Sequence, residues 1–117
     1  MNILVSDEDK NFSTLIELIL KDKKYSIDYV ESNSEAIMKA AENKYDVILM
    51  NIQTTNMSGY DAATIIKTHR PATSIIGSST TSKISKKYKH LNYDPFDAFF
   101  NKNDNINNLK SLINFFI

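Results

Sequence analysis

The sequence predicts an α/β protein with a single doubly wound, five-stranded parallel sheet and helices on both faces. Short apolar segments alternate with segments whose apolar residues recur at helical spacing, a pattern typical of parallel sheets with right-handed crossovers. The predicted strands are 3–5, 25–30, 45–50, 73–78 and 97–101. Residues 47–50 form a continuous apolar run, as expected for a strand buried on both faces. A chain of 117 residues fits one domain, so we expect 1–117 to fold as one unit.

Five helices are expected, one after each strand. The residues predicted to form their buried stripes are, helix by helix, Phe12, Leu15, Ile16, Leu18, Ile19 and Leu20; Ala36, Ile37, Ala40 and Ala41; Tyr60, Ala63, Ile65 and Ile66; Ile84, Tyr88 and Leu91; and Leu109, Leu112, Ile113 and Phe116. Residues 32–35 supply N-cap chemistry for the second helix, and Asp104 or Asn105 for the last. Pro71 ends the third helix because proline cannot continue one.

Composition excludes several classes of function. Lys plus Arg and Asp plus Glu both number 14, so the net charge is zero and nothing drives the chain toward nucleic acid or an anionic membrane. The chain has no cysteine, which excludes disulfides and thiolate chemistry. No apolar run approaches the ~20 residues needed to cross a bilayer, and the first residues lack the pattern of a signal peptide. We therefore expect a cytoplasmic domain.

Polar side chains follow four of the predicted strands at the point where each strand ends. The carboxyl ends of parallel strands meet at one edge of the sheet, where ligands bind in open α/β folds. The residues expected to converge there are Asp7, Glu8, Asn51, Ser79 and Lys102. Carboxylate and amide oxygens are ligands of the kind that Mg²⁺ takes, and a lysine suits a phosphoryl oxygen. The candidate metal ligands are Asp7, Glu8, Asn51 and Gln53.

Four segments in order resemble one known family. They are Ile3-Leu4-Val5-Ser6-Asp7-Glu8-Asp9, the stretch 45–59, Ile75-Ile76-Gly77-Ser78-Ser79 and Ala98-Phe99-Phe100-Asn101-Lys102. Over nearly its whole length the chain is similar to the receiver domains of two-component response regulators, which have a flavodoxin-like fold. The resemblance assigns the phosphoacceptor position to Asn51 and the phosphate-pocket positions to Ser79 and Lys102. It assigns the switch aromatic to Phe99, for which simple core packing is an equal alternative.

The departures from that family point to a degenerate, or pseudo-, receiver. The family's acceptor is an aspartate, whereas Asn51 carries an amide that is not nucleophilic because its nitrogen lone pair is delocalised. The Met-Pro typical after the acceptor is replaced by Thr54-Thr55, and the proline after the lysine by Asn103. We predict no phosphorylation at position 51, no enzymatic activity, no required cofactor, and Mg²⁺ binding that is weak or absent. Three departures together favour natural divergence over an engineered substitution.

A domain of this kind would act through protein contacts. The expected partner is a histidine kinase, another signalling protein or a second copy of the chain. In receivers the surface formed by the fourth helix, fifth strand and fifth helix is commonly the partner face, and here it would include Tyr88, Lys87, Tyr93 and Phe96. The domain would be either a stand-alone adaptor or a piece of a larger signalling protein.

Two rival functions remain open at this point. The first is a true phospho-accepting receiver in which Asn51 is engineered, or in which Asp7 or Ser79 accepts the phosphoryl group instead. The second is a small-molecule module binding flavin or nucleotide on the same fold. It is less well supported, because the chain has only two glycines and no Gly-rich phosphate loop.

Overall fold

A computed structural model describes residues 1–53, 57–80 and 94–116. Its strands and helices, in chain order, are β1 (Asn2–Ser6), α1 (Lys10–Ile19), β2 (Ser26–Val30), α2 (Asn33–Glu42), β3 (Val47–Asn51), α3 (Gly59–His69), β4 (Ser74–Ser79), β5 (Ala98–Asn101) and α4 (Ile106–Phe115). The strands form one five-stranded sheet in the order β2-β1-β3-β4-β5, and every neighbouring pair is parallel. The predicted fold class is therefore confirmed.

The sheet is buried on both faces because its central strands are apolar at successive positions. All five residues of β3 are buried. Leu4 and Ile48 point into a cluster that includes residues of α2 and α3, whereas their neighbours Val5 and Leu49 point into a cluster that includes residues of α1 and α4. This alternation follows from the two-residue period of a strand. The helices thus lie on both faces, and the ends of the strands remain accessible.

Each described helix begins at a residue whose side chain accepts hydrogen bonds from the first turn. Asp9 caps α1, Ser32 caps α2, Ser58 caps α3 and Asn105 caps α4. Such caps satisfy backbone N–H groups that have no partner within the helix. Of the two predicted caps for the last helix, the structure uses Asn105.

Some predicted apolar stripes were too wide. Leu15 and Leu18 are 46% and 55% exposed, because α1 rests on the sheet along Phe12, Ile16 and Leu20. At 100° per residue, positions 15 and 18 fall off that line. Ala41 on α2 and Ile65 on α3 are likewise exposed. The predicted fourth helix, with Ile84, Tyr88 and Leu91, lies outside the described residues.

No helix in the described part of the chain has both the length and the apolar character needed to span a membrane.

Candidate functional site

The carboxyl ends of the strands bring the predicted polar residues to one edge of the sheet, which we call the rim. β1 ends at Ser6, directly before Asp7, and β3 ends at Asn51. In the sheet register Asn51 lies opposite Ser78 of β4, and Ser79 lies opposite Asn101, directly before Lys102. The parallel register therefore gathers residues that are far apart in sequence, as the βα alternation predicts.

An ion pair between Asp7 and Lys102 lies at the centre of the rim. The Nζ atom of Lys102 is 2.6 Å from Oδ2 of Asp7, and the two side chains are 11% and 1% exposed. Oδ1 of Asp7 accepts a hydrogen bond from the backbone N–H of Asp9 at 2.9 Å. The same ammonium lies 4.7 Å from the ring centroid of Phe12, close enough for a cation–π interaction. The one buried carboxylate of the rim is thus neutralised by a cation of the chain itself.

Asn51 occupies the end of β3 as a buried, neutral side chain. It is 6% exposed, and its Oδ1 accepts a hydrogen bond from the backbone N–H of Gln53 at 3.2 Å. The helix that follows lies very close to it. A Cβ atom added to Gly59 would lie only 2.8 Å from the carbonyl oxygen of Asn51, so the first residue of α3 must be glycine to allow this approach. The position is well ordered by its surroundings although it carries no nucleophile.

Glu8 does not join the buried part of the rim. We expected Asp7 and Glu8 to converge at this edge with the other polar residues; Asp7 is buried there, whereas Glu8 is exposed. The reason is local: Asp7 turns inward to accept from the N–H of Asp9, which in turn caps α1, so the residue between them faces solvent.

Ser79 and Gln53 lie beside the ion pair. Ser79 is 8% exposed at the end of β4, and its carbonyl oxygen accepts from the backbone N–H of Lys102 at 2.8 Å. The neighbouring Ser78 is fully buried and its hydroxyl donates to the carbonyl of Met50. Gln53 is exposed and its Oε1 accepts from the hydroxyl of Thr80 at 2.9 Å. The predicted phosphate-pocket positions therefore adjoin Asn51.

Phe99 is exposed, whereas Phe96 is buried. Phe99, offered equally as a switch aromatic or a core residue, is 42% exposed and its ring centroid lies 5.3 Å from that of Phe96. Phe96, predicted on an exposed partner face, is only 6% exposed because it packs edge-on against Tyr60 at 4.9 Å. Phe96 is therefore a core residue. Tyr88, Lys87 and Tyr93 lie outside the described residues.

Asn33 belongs to the rim and was missed by the sequence analysis. It is the first residue of α2, is 2% exposed, and contacts β1, the end of β3 and the residue preceding the cap of α3. In the sequence it follows Ser32 and appears only as part of an N-cap. Its contacts are made 18 to 27 residues away, and no local pattern encodes them.

The arrangement of the rim does not fit a divalent cation. Mg²⁺ needs oxygen ligands that are free to coordinate it. Oδ1 of Asp7 accepts a hydrogen bond from Asp9, and the amide oxygen of Asn51 accepts one from Gln53. Oδ2 of Asp7 accepts no hydrogen bond but is ion-paired with Lys102. Across residues 1–53, 57–80 and 94–116 no three His, Cys, Asp or Glu side chains are grouped as metal ligands would be. A metal would have to displace the Lys102 ammonium from Asp7.

A cleft at the opposite edge of the sheet has a structural explanation. It is lined by residues that include Asp46, His69, Arg70 and Phe116. The guanidinium of Arg70 donates to the carbonyls of Ala40 and Ala41 at the end of α2, and Asp46 accepts from the backbone N–H of Asn2. Its main charged groups therefore serve the ends of helices and strands.

Together these features define a flavodoxin-like α/β domain with an acid–lysine site at the carboxyl edge of its sheet. The sequence model of the family described as the response regulator receiver domain matches residues 3–114 of this chain. The chain therefore belongs to the response regulator receiver domain family.

Similar proteins agree with this assignment. The chain is 27% identical over 96 residues to the response regulator ArlR of Staphylococcus haemolyticus, a match that covers 82% of this chain and 43% of ArlR. It is 24% identical over 116 residues to the cell cycle response regulator CtrA of Brucella ovis, covering 97% of this chain and 50% of CtrA. The chain thus spans about half the length of the curated relatives it matches.

Two crystal structures of the response regulator TrrA from Thermotoga maritima are similar to this fold. In complex with Mg²⁺-BeF, TrrA is 26% identical with a TM-score of 0.84, and the match covers 99% of this chain and 98% of TrrA. In complex with the histidine kinase ThkA, TrrA is 24% identical with a TM-score of 0.81, covering 99% and 97%. The likeness to the second structure concerns the fold alone.

Proposed function

We propose that this receiver domain does not accept a phosphoryl group at position 51 and acts by contact with a protein partner. The observation that carries the proposal is Asn51 itself. Phosphotransfer to position 51 needs a nucleophilic side chain there, and the side chain at the end of β3 is an amide whose nitrogen lone pair is delocalised. Its oxygen is a far weaker nucleophile than a carboxylate and already accepts from Gln53.

The electrostatics of the rim support the same proposal. In a rim with an acceptor aspartate the lysine would have two carboxylates to neutralise. Here Lys102 has one buried partner, Asp7, and the pair is neutral as it stands. A neutral, internally paired site has little attraction for a divalent cation or a phosphoryl dianion. The domain would then hold one arrangement and would not respond to phosphorylation.

The partner is proposed to be a protein of the signalling apparatus: a histidine kinase, another signalling protein or a second copy. The complex of TrrA with ThkA supports this class of partner by analogy, since it joins a protein of the same fold to a histidine kinase. The proposed face retains Tyr88, Lys87 and Tyr93 and no longer includes the buried Phe96. The domain itself is proposed to be non-enzymatic.

The acceptor proposal is tested by incubation with acetyl phosphate and Mg²⁺, followed by intact-mass measurement. We expect the wild type to keep its mass and the variant Asn51→Asp to gain one phosphoryl group. The variant is the matched control, because it differs only in restoring a carboxylate at the same backbone position. A phosphoryl adduct on the wild type would overturn the proposal, and peptide mapping would then decide between Asp7 and Ser79 as the acceptor.

The partner proposal is tested by capture from the native cell with the wild type and with Tyr88→Ala and Lys87→Ala variants. We expect a specific protein to be lost from both variants. Lys10→Ala is the matched control, since Lys10 is exposed on α1, an element that the proposed face does not include. Identical partners and the same oligomeric state for all four proteins would rule out the Tyr88 face.

A further inference from the structure

The side chain of Asn33 joins three segments of the rim through one buried amide. Its Oδ1 accepts a hydrogen bond from the hydroxyl of Ser6 at 2.8 Å. Its Nδ2 donates to the carbonyl oxygens of Asn51 and Met57, both at 3.1 Å. Asn33 is 2% exposed; its bonds to Ser6 and Asn51 are buried, and its bond to Met57 is partly buried. Both amide hydrogens and one oxygen lone pair are therefore used.

Each hydrogen-bond partner of Asn33 lies at the end of a strand or next to the cap of a helix. Ser6 directly precedes Asp7, and the carbonyl of Asn51 lies at the end of β3. Met57 directly precedes Ser58, the cap of α3. The two donated bonds thus hold both ends of the connection between β3 and α3, while the accepted bond ties that connection to β1.

The chemistry of the site requires an amide. The two carbonyls of the connection can only accept hydrogen bonds, so the side chain facing them must donate twice. A carboxylate there would only accept and would face two carbonyl dipoles. An alanine would remove the acceptor of the buried Ser6 hydroxyl and one donor to each of the two carbonyls.

The helix that carries Asn33 does not depend on this side chain. α2 is capped by Ser32, whose hydroxyl accepts from the backbone N–H of Glu35 at 3.2 Å. The three hydrogen bonds of the Asn33 amide to Ser6, Asn51 and Met57 all leave α2. Loss of the amide should therefore loosen the rim before it loosens the helix.

We infer that Asn33 is a positioning residue which fixes the backbone of Asn51 and of Met57, so that these two points of the rim are held in place without a bound metal ion or phosphoryl group. Two further bonds complete the arrangement: the N–H of Ile52 donates to the carbonyl of Ser78 at 2.9 Å, and the N–H of Gly59 donates to the carbonyl of Ile52 at 3.4 Å. The inference stands whether or not Asn51 accepts phosphate, because it concerns the backbone of the connection.

The test is amide hydrogen exchange at single-residue resolution in the wild type and in Asn33→Ala. We expect protection at Ile52 and Gly59 to fall by about tenfold or more, since a local opening no longer breaks two hydrogen bonds. Protection of Glu35 and Ala36 at the start of α2 should change much less. Asn43→Ala is the matched control, because Asn43 follows α2 and its amide contacts only the carbonyl of Lys39 among the bonds described.

A second variant tests the same inference if Asn33→Ala does not fold. Asn33→Asp preserves the shape, and at acid pH its protonated carboxyl can again donate one hydrogen bond. We expect protection at Ile52 and Gly59, corrected for intrinsic exchange, to be low near neutral pH and to recover partly at pH 4. Equal loss at α2 and at the connection, unchanged protection in Asn33→Ala, or no pH-dependent recovery in Asn33→Asp would each overturn the inference.

Discussion

The two edges of the sheet use charged residues in different ways. At the amino edge, which we call the base, carboxylates and cations bond to the backbone where strands begin and helices end. Asp97 accepts from the N–H of Ile75 and pairs with Lys67 at 2.8 Å, and Lys67 also donates to a backbone carbonyl. At the rim, Asp7 and Lys102 are paired chiefly with each other and are more deeply buried.

This difference shows where the molecule bears the larger desolvation cost. The Lys67–Asp97 pair gives up less hydration, because the Asp97 carboxylate is 33% exposed. A buried pair such as Asp7–Lys102 gives up much more, and its mutual attraction often does no more than offset that loss. The rim is therefore not arranged for maximum stability. Its geometry agrees with the proposed function, in which position 51 offers an amide and no acceptor carboxylate.

The largest expected effect comes from breaking the buried pair. Lys102→Met should lower the free energy of unfolding by about 3–5 kcal/mol, because Asp7 is left buried with no countercharge. The corresponding change at the base, Lys67→Met, should cost about 1 kcal/mol, since Asp97 is one-third exposed and can be solvated. Urea unfolding of both variants measures the difference.

The double variant Asp7→Asn with Lys102→Met is the control for this comparison. It removes both charges and should recover most of the loss seen in Lys102→Met. Equal losses for the rim and base variants, or no recovery in the double variant, would mean that the buried pair is not a coupled unit.

The same comparison explains how much of the structure could be predicted from the sequence. The fold and the meeting of Asp7 with Asn51 and Lys102 follow from βα alternation, because parallel strands place their carboxyl ends together. Which individual side chains near the strand ends are buried does not follow from this alternation. Whether Asp7 or Glu8 turns inward depends on the N–H of Asp9, and the burial of Phe96 depends on the distant Tyr60.

The residue hardest to predict was Asn33. Asparagine beside a serine at a helix start is ordinary cap chemistry, and its alternative role appears only when three distant segments are brought together. Sequence patterns report the local geometry of a residue, whereas a buried polar contact is defined by its partners. The missed features of the rim are all of that second kind.

An effect of intermediate size, on the affinity for Mg²⁺, is expected when a carboxylate is placed at position 51. The rim of the wild type has one buried carboxylate, and Asn51→Asp adds a second beside it, which favours a divalent cation electrostatically. We expect the wild type to bind weakly or not at all at physiological Mg²⁺ and the variant to bind at least about tenfold more tightly. Calorimetric titration measures both. A sub-millimolar dissociation constant for the wild type would contradict the poor fit of the rim to a metal.

The smallest expected effect on stability comes from a substitution at Tyr45, which lies at the base. Its hydroxyl donates to Oδ2 of Asp28 at 2.6 Å, and burial, followed by the hydrogen bond and the charge of Asp28, raises the pKa of Tyr45 above its usual value of 10.0. Tyr45→Phe removes this bond and should cost about 1 kcal/mol at neutral pH.

The sign of the pH dependence follows from that raised pKa. The folded state keeps Tyr45 protonated above pH 10.0, where the unfolded chain begins to lose the proton, so this contribution to stability is complete below pH 10.0 and declines as the pH rises further. Urea unfolding at pH 7 and at about pH 11 should therefore show a smaller advantage of the wild type over Tyr45→Phe at the higher pH. An advantage that is constant or grows would indicate that the Tyr45–Asp28 bond is already broken in solution, and that the base, unlike the rim, is not held by side-chain pairing at this point.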